Sequence, residues 1–579
     1  MTARFALGLW ALLLAGCSEE AASADPVRAS GSADATTSAA ALLAFTHIPP
    51  EQCGLKLQNV SGGRMKLAIP ENIGQGAAVL DYDLDGDLDL FIANGGVLPG
   101  ISPHAPLGSR LYRNDGGFRF TEVTAASGCL TDAWVHGVWA VDFDADGDRD
   151  LYLTVFRGPN QFFENRGGRF VNATERWGGA DTGPSTAAAF FDADQDGDLD
   201  LYVGNYVDYD PEHPPNEGRP CSWRGLSVSC GPLGTTPAPD HFYRNDGGRL
   251  VEATEALGFM APPSYTLGTL AMDLDEDGDT DLLVVNDSVP NLLFLNQGQG
   301  RFTESALACG ADRNEDGRAQ SGMGVDAGDV DLDLKTDIFI TNFSHDTNTM
   351  RRGGRTADGA LFFTDVTFAM KLGTPSFAKL SWGTRMLDLD RDGDEDLVVV
   401  SGHVYPQVDG ADVGTTYAQE NQVFVNLGVT GTQRQVIFEE WQPPEGDGFR
   451  LKNCSRGLVA ADFDDDGDHD LLVTEMDSIP TLLRNDTRAD GAWIGFSLEG
   501  AGGNREAIGA RLVLTDSAGR KQVRQRSFGG GFLSTSDARL HCGLGSARGP
   551  ASLTVRWPDG VETTHPGLTT GRYHKLTRR

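Results

Sequence analysis

Residues 77–92 read AAVLDYDLDGDLDLFI. Aspartates fill the odd positions of the central D-x-D-x-D-G-D-x-D, here Asp81, Asp83, Asp85, Asp87 and Asp89. A small apolar stretch precedes them and a continuous apolar run follows. Runs of this kind are too short for helices, so both flanks read as strands, the second buried on both faces. Five carboxylates within nine residues repel one another and are costly without a cation. Hard oxygen ligands at alternate positions suit calcium, which takes six to eight of them. The glycine at position six permits the tight turn that aims the carboxylates inward.

The stretch is repeated along the chain. A second copy holds Asp142, Asp144, Asp146, Asp148 and Asp150, and a third Asp192, Asp194, Asp196, Asp198 and Asp200. A fourth holds Asp273, Asp275, Asp277, Asp279 and Asp281. The sixth and seventh hold Asp388, Asp390, Asp392, Asp394 and Asp396, then Asp462, Asp464, Asp466, Asp468 and Asp470. The fifth copy is decayed. It keeps Asp329, Asp331, Asp333 and Asp337 but puts Leu334 at position six and Lys335 at position seven. About six to seven calcium sites are expected, the fifth the weakest.

Each copy is followed by an apolar run such as LYLTV, LLVVN or LLVTE. Next comes a segment ending in Asn and a glycine turn, as in LYRNDGG and FYRNDGG, which is a hairpin signal. A fourth segment follows, FTEVT at 120–124 or FTDVT at 363–367. The unit is four strands, A to D, with the aspartate loop between A and B. Four antiparallel strands repeated radially make a β-propeller. An all-β, seven-bladed ring over residues 43–487 is therefore expected. After the seventh copy no D segment appears, and its counterpart stands ahead of the first blade as Phe45-Thr46-His47-Ile48. That strand is expected to complete blade seven and remove the sheet edge.

An EF-hand would need Glu at position twelve. Here that position is Ile92, Leu153, Val203, Val284, Ile340, Val399 or Val473. All are apolar, so position nine must close the site.

This pattern resembles the FG-GAP/VCBS repeats of integrin-type propellers. The resemblance implies that side chains at positions one, three, five and nine coordinate calcium, with a backbone carbonyl at position seven. From residue 488 the repeat stops. NREAIGA at 504–510, RQRSFGGGFLSTSDARLHCGLG at 524–545 and VRWPDG at 555–560 resemble the ASPIC/UnbV domain. The two parts together resemble bacterial homologues of the cartilage acidic protein family, implying a small β-domain over 488–579. Cys542 stands where that family has an aromatic, and reads as a buried thiol.

At the other end, Arg4, the apolar run Phe5 to Leu14 and the small residues before Cys17 describe a secretory signal over 1–17. Leu14-Ala15-Gly16-Cys17 resembles a lipobox, which implies lipidation of Cys17; Ser18 after it implies the outer membrane. Residues 18–42, rich in Ala, Ser and Thr, read as a tether. The membrane is expected to be met only through that lipid.

The net charge is −36. The aspartates at the motif's odd positions, five in each of six loops and four in the other, make up 34 of 83 acidic residues, and the other 49 nearly balance 47 Lys and Arg. The charge is local and calls for cations; nucleic acid is excluded as a partner. Among eight cysteines, Cys221 and Cys230 lie nine apart in a Pro/Gly-rich loop and form the expected disulfide. No Cys-x-x-Cys supports zinc.

No H-E-x-x-H, G-x-S-x-G or phosphate-binding loop is present, and His136, His241, His403 and His541 are scattered. From the first loop aspartate to the Asn of strand C takes 23 residues in blades two, four and seven, but 53 in blade three and 38 in blade six. The extra length lies between strands B and C, hence on the face opposite the aspartate loops. Loops gathered on one face of a rigid scaffold are where partners bind. Tyr206 to Pro239 of blade three, carrying Trp223 and Arg224, reads as a partner-facing loop or as a lid over the channel. The expected function is a calcium-stabilised extracytoplasmic binding or adhesion lipoprotein for a protein or glycan. The alternatives are a polysaccharide lyase or hydrolase, for which no catalytic residue stands out, and a structural role in an outer-membrane assembly.

Overall fold

The computed structural model describes residues 43–96 and 108–579. The signal segment, Cys17 and the tether lie outside the described residues. Seven antiparallel sheets account for the repeats, each built of strands A to D, and that of blade four carries a fifth strand, Phe528–Gly529. In blade one, strands A to D are Ala77–Leu80, Asp89–Ile92, Arg110–Asn114 and Phe120–Glu122. In blade four they are Thr266–Met272, Asp281–Asn286, Leu292–Asn296 and Phe302–Glu304. Strand B is buried along its whole length in every blade. That is why its sequence is continuously apolar rather than alternating.

Neighbouring A strands meet backbone to backbone. A Cβ at Gly324 would stand 2.2 Å from the carbonyl oxygen of Trp382 in the next blade, and one at Gly383 would stand 2.9 Å from that of Arg456. Only glycine fits there. Threonines on strand B tie blade to blade: Thr154 Oγ1 donates to Thr186 O (2.8 Å) and Thr341 Oγ1 to Trp382 O (2.6 Å). Thr474 Oγ1 donates to Gln75 O just ahead of blade one (2.6 Å), which joins the last blade to the first. Phe45–Ile48 pairs antiparallel with Thr481–Asn485, Phe45 opposite Asn485. The chain's first strand therefore completes blade seven. Between blades seven and one, Ala77, Val79 and Leu90 pack on Val459, Ala461 and Leu472.

Residues 492–577 form two further sheets. Ala492–Glu499 lies between Leu540–Gly545, antiparallel, and Tyr573–Thr577, parallel. Arg511–Thr515 lies between Lys521–Gln525 and Ala551–Arg556. Ile494, Leu512, Cys542, Leu553 and Trp557 share the core between them. Cys542 is a buried free thiol.

The module is not merely appended. Between its strands, residues 526–537 run into the propeller's central channel. Phe528 and Gly529 pair with Ala271 and Leu270 of blade four, and Gly531 bridges Val325 of blade five. Val138 N of blade two donates to Leu533 O (3.0 Å), Val79 N of blade one to Thr535 O (2.9 Å), and Asp537 N to Ala460 O of blade seven (3.1 Å). Inner-strand groups facing the channel thus find partners there. Gly529, Gly530 and Gly531 have φ of 85°, 75° and 64°, a path that side chains resist. Phe532 and Leu533, each 1% exposed, end the plug among Leu267, Met323, Leu380 and Trp382.

The blade-three insertion is a lid. Cys221–Trp223 and Leu226–Val228 form a hairpin, and Cys221 is disulfide-bonded to Cys230. Tyr206, Val207, Tyr209 and Val228 are buried in the same cluster as Phe532. The Trp223 ring packs against Phe343, His403 and Tyr405 with centroids 5.1–6.2 Å apart. Trp223 is half-buried, whereas Arg224, at the turn, is exposed. Trp223 is therefore spent on internal packing instead of standing free for a partner, because it crosses the mouth of an aromatic-lined channel. Replacing Tyr206–Pro239 by a tight turn should lower the unfolding midpoint in urea, since each large apolar side chain it strips contributes roughly 1.5–3 kcal/mol. An unchanged midpoint would mean that the lid adds no packing. Among the described residues, no helix is long and apolar enough to cross a membrane.

Candidate metal centres

All seven aspartate loops share one coil. The residue at position four is left-handed without being glycine: Leu84, Ala145, Gln195, Glu276, Leu332, Arg391 and Asp465 have φ of 57–63°. Position six is left-handed too, from Leu334 at 70° to Gly278 at 112°. The amide of position six donates to Oδ2 of position one in blades one, two, three, six and seven at 3.0–3.1 Å. The amide of position seven donates to Oδ1 of position five in every blade, at 2.9–3.1 Å. These bonds turn the odd-numbered side chains toward one another.

Position nine does more than close the loop. Asp89 accepts the amides of Tyr82 (2.9 Å) and Asn114 (2.8 Å), one on each oxygen. Asp281 accepts those of Leu274 and Asn296, and Asp470 those of Phe463 and Asn485. Asp150, Asp200, Asp337 and Asp396 repeat the pattern. This fully buried carboxylate ties the loop to the end of strand C. Its motif position alone could not show that second duty.

The groups are of metal size. Asp81, Asp83 and Asp85 each place an oxygen within 4.8 Å of the others, as do Asp142, Asp144 and Asp146, and Asp329, Asp331 and Asp333. In blades three and four the position-nine residue joins, giving Asp192, Asp194 and Asp200, and Asp273, Asp275 and Asp281. Two position-seven side chains have partners outside their own loop: Asp148 accepts the amide of Gly167 (2.6 Å) and Asp468 a bond from Arg391 (3.1 Å).

Buried Oδ1 atoms of Asp83, Asp142, Asp192, Asp194, Asp273 and Asp388 have no hydrogen-bond partner among the described residues. An anionic oxygen held out of water without a donor is costly. Burial first, and neighbouring charges after it, push Asp89 and Asp200 up to about 8 and Asp192 up to about 7. An oxygen-only donor set short of positive charge fits a hard divalent cation.

The fifth loop coils like the rest despite its substitutions. Leu334 takes φ of 70°, its amide donates to Asp329 Oδ2 (2.9 Å), and Lys335 Nζ lies 2.5 Å from Asp333 Oδ2. The ammonium supplies part of the charge a cation would bring. Leu334→Gly removes a side chain from a left-handed residue and should raise unfolding free energy by about 1 kcal/mol in a urea titration. No gain would mean that the loop relaxes this strain elsewhere.

Position eight is the signal that sequence reading missed. It is Leu88 and Leu199 in blades one and three, but Arg149, Thr280, Thr336, Glu395 or His469 in the others. Those polar side chains face the C-terminal module. Arg149 pairs with Glu506 (2.8 Å), Glu395 with Arg524 (3.4 Å), and Thr336 accepts from Gln525 (3.2 Å). The His469 and His541 rings lie 5.1 Å apart. A polar cavity of about 130 Å³ remains there, lined by Asp326, Arg385, Glu395, Arg524 and both histidines.

The other singled-out histidines are structural. His136 Nδ1 lies 3.0 Å from Ser185 O, and His403 Nε2 lies 3.1 Å from Ser344 Oγ; burial lowers the two to about 4 and about 3. His241 Nδ1 lies 2.5 Å from Asp181. On the face opposite the aspartate loops, a cleft of about 940 Å³ opens between Phe156 and Arg157 of blade two and Asp208–Glu212 of the blade-three insertion.

Comparison with known proteins agrees with this geometry. The model of the FG-GAP-like repeat matches residues 81–153, 142–203 and 273–340, and that of ASPIC and UnbV matches 500–579. Human cartilage acidic protein 1 is 24% identical over 523 residues, 85% of this chain and 70% of that one; the mouse protein is 24% identical over 521 residues, 85% and 71%. The chain is a homologue of cartilage acidic protein 1. The FG-GAP match at 273–340 takes in the decayed fifth loop, and the ASPIC and UnbV match takes in the plug. Among solved structures, an Agrocybe aegerita lectin that recognises non-reducing terminal N-acetylglucosamine aligns with a TM-score of 0.34 and 14% identity. It covers 63% of this chain and 84% of its own. A Bacillus licheniformis rhamnogalacturonan lyase aligns with a TM-score of 0.26 and 12% identity, covering 74% and 91%. At those scores neither likeness bears on what this chain binds.

Proposed function

We propose that this chain is a calcium-loaded extracytoplasmic binding protein, held at the outer membrane by a lipid on Cys17, that takes a protein or glycan ligand on the face opposite its aspartate loops. One observation carries the reading. The C-terminal module lies on the loop face, and the cleft at Arg157, Tyr209 and Asp210 is a large concavity on the opposite, insertion-bearing face. Its size suits a ligand site, and it combines an aromatic with charges of both signs. The aspartate loops serve this face indirectly, by holding the blades that carry it.

The mature chain on a glycan and protein array, in calcium, tests the proposal. Arg157→Ala and Asp210→Ala should each lower retention of the captured ligand about tenfold, the usual scale of a lost charged contact, with calcium uptake intact. Retention unaffected by both variants would move the site elsewhere, and breakdown of an arrayed polysaccharide would replace binding with catalysis. Fatty-acid labelling that survives Cys17→Ser would overturn the anchor.

A further inference from the structure

We propose that cations in the aspartate loops of blades four, six and seven lock the C-terminal module onto the propeller, and that their loss withdraws the plug and opens the central channel. The proposal rests on the reading of those loops as cation sites and goes beyond it.

The position-one carboxylates face two ways. Asp273 pairs with Arg556, Asp388 Oδ2 accepts the amide of Gly543 (2.9 Å), and Asp462 Oδ2 accepts the Tyr573 hydroxyl (3.0 Å). Asp273 and Asp388 are 1% and 3% exposed, and the Oδ1 of each has no hydrogen-bond partner among the described residues. In blades four and six one oxygen thus holds the module while the other is left for the loop's cation; in blade seven Asp462 Oδ1 accepts the amide of Asp466 (3.1 Å). Fixing one orients the other.

Charge alone would not make the lock depend on a cation, since a guanidinium is drawn to an aspartate loop whether or not a cation is present. The shape of the contacts does. Gln525 donates to Asp273 O (3.0 Å), Arg520 to Asp392 O (2.5 Å) and Arg539 to Asp462 O (2.8 Å). These are backbone carbonyls, presented only while the loop keeps its coil. Without a cation, five carboxylates within nine residues repel and the coil opens. The arginines then keep their attraction and lose their geometry. Because residues 526–537 lie between Lys521–Gln525 and Leu540–Gly545 of the module, undocking and unplugging are one motion. Blade one supplies the contrast: among the described residues, no module side chain bonds to Asp81–Asp89.

Hydrogen exchange on the full chain, in calcium and in EGTA, reads the lock below the melting temperature of either form. Residues 526–537 should exchange about tenfold faster or more in EGTA, while strand B at Asp281–Asn286 keeps its protection. Asp388→Ala should reproduce that release in calcium, Asp81→Ala should not, and Arg556→Gln with Tyr573→Phe should release the plug with calcium uptake intact. Plug protection unchanged in EGTA, or lost only in step with strand B, would overturn the lock. So would equal release by Asp81→Ala and Asp388→Ala. Calcium titration of the unaltered chain separates the two ideas: no uptake removes the cation reading and the lock with it, whereas uptake with a protected plug removes the lock alone.

Discussion

In excess chelator the protein is expected to melt roughly 7 °C below its value in calcium. At a tenfold excess over Kd, each full loop adds about 1.4 kcal/mol, and six add about 8 kcal/mol. An unfolding entropy of about 2.1 cal/mol/K per residue converts that, for a folded chain of this length, into a shift of about this size. The shift has a pH dependence whose sign is fixed by the loops. In the cation-free fold, burial raises Asp89, Asp200 and Asp150 to between about 8 and about 9, against the ordinary carboxylate range in the unfolded chain. The fold then binds more protons than the unfolded chain, so stability in chelator is greatest below the ordinary carboxylate pKa of about 4 and falls as pH rises toward 9. Calcium needs the ionised carboxylates and gains over the same window. The gap between the two melting curves should therefore widen from pH 5 to pH 8. A gap that is absent, or that narrows with pH, would remove the metal sites.

Most of the ring was readable because each repeat states its physics locally. The apolar run of strand B has to be buried on both faces, the Asn-Gly turns make hairpins, and the surplus strand at Phe45 has one vacancy to fill. The loop coil was half readable. Gly86 and its counterparts announce a left-handed residue, but Leu84, Gln195 and Arg391 do so only through φ, because no residue type marks position four. The docking of the module was legible only in comparison. A leucine at position eight in two blades, against Arg149, Glu395 and His469 in others, separates loops whose eighth side chain is apolar from those whose eighth side chain meets polar groups of the module. The plug could not be read. Gly529-Gly530-Gly531-Phe532-Leu533 looks like a flexible turn unless the channel that receives it is known. The lid misled for a related reason: Trp223 and Arg224 are chemically suited to a partner, and nothing local shows that Phe343 and Tyr405 reach the indole first.

Phe532→Ala should cost about 3–5 kcal/mol of unfolding free energy, more than any single substitution on the module's outer surface. The ring is 1% exposed and lies 4.9 Å from that of Trp382. Large-to-small substitutions are cheapest where the surroundings can collapse into the space. Here the walls are inner strands of several blades, each held in its own ladder and, through Thr341 and Thr474, to its neighbour. They cannot close on a missing ring without breaking those bonds, so the cavity term is retained almost in full. Phe532→Leu fills most of the volume and should cost under about 1.5 kcal/mol. Urea unfolding followed by tryptophan emission measures both, since Trp382 reports on the ring it touches. A loss below about 1 kcal/mol for Phe532→Ala would mean that the plug's tip is not gripped by the channel, whatever its burial.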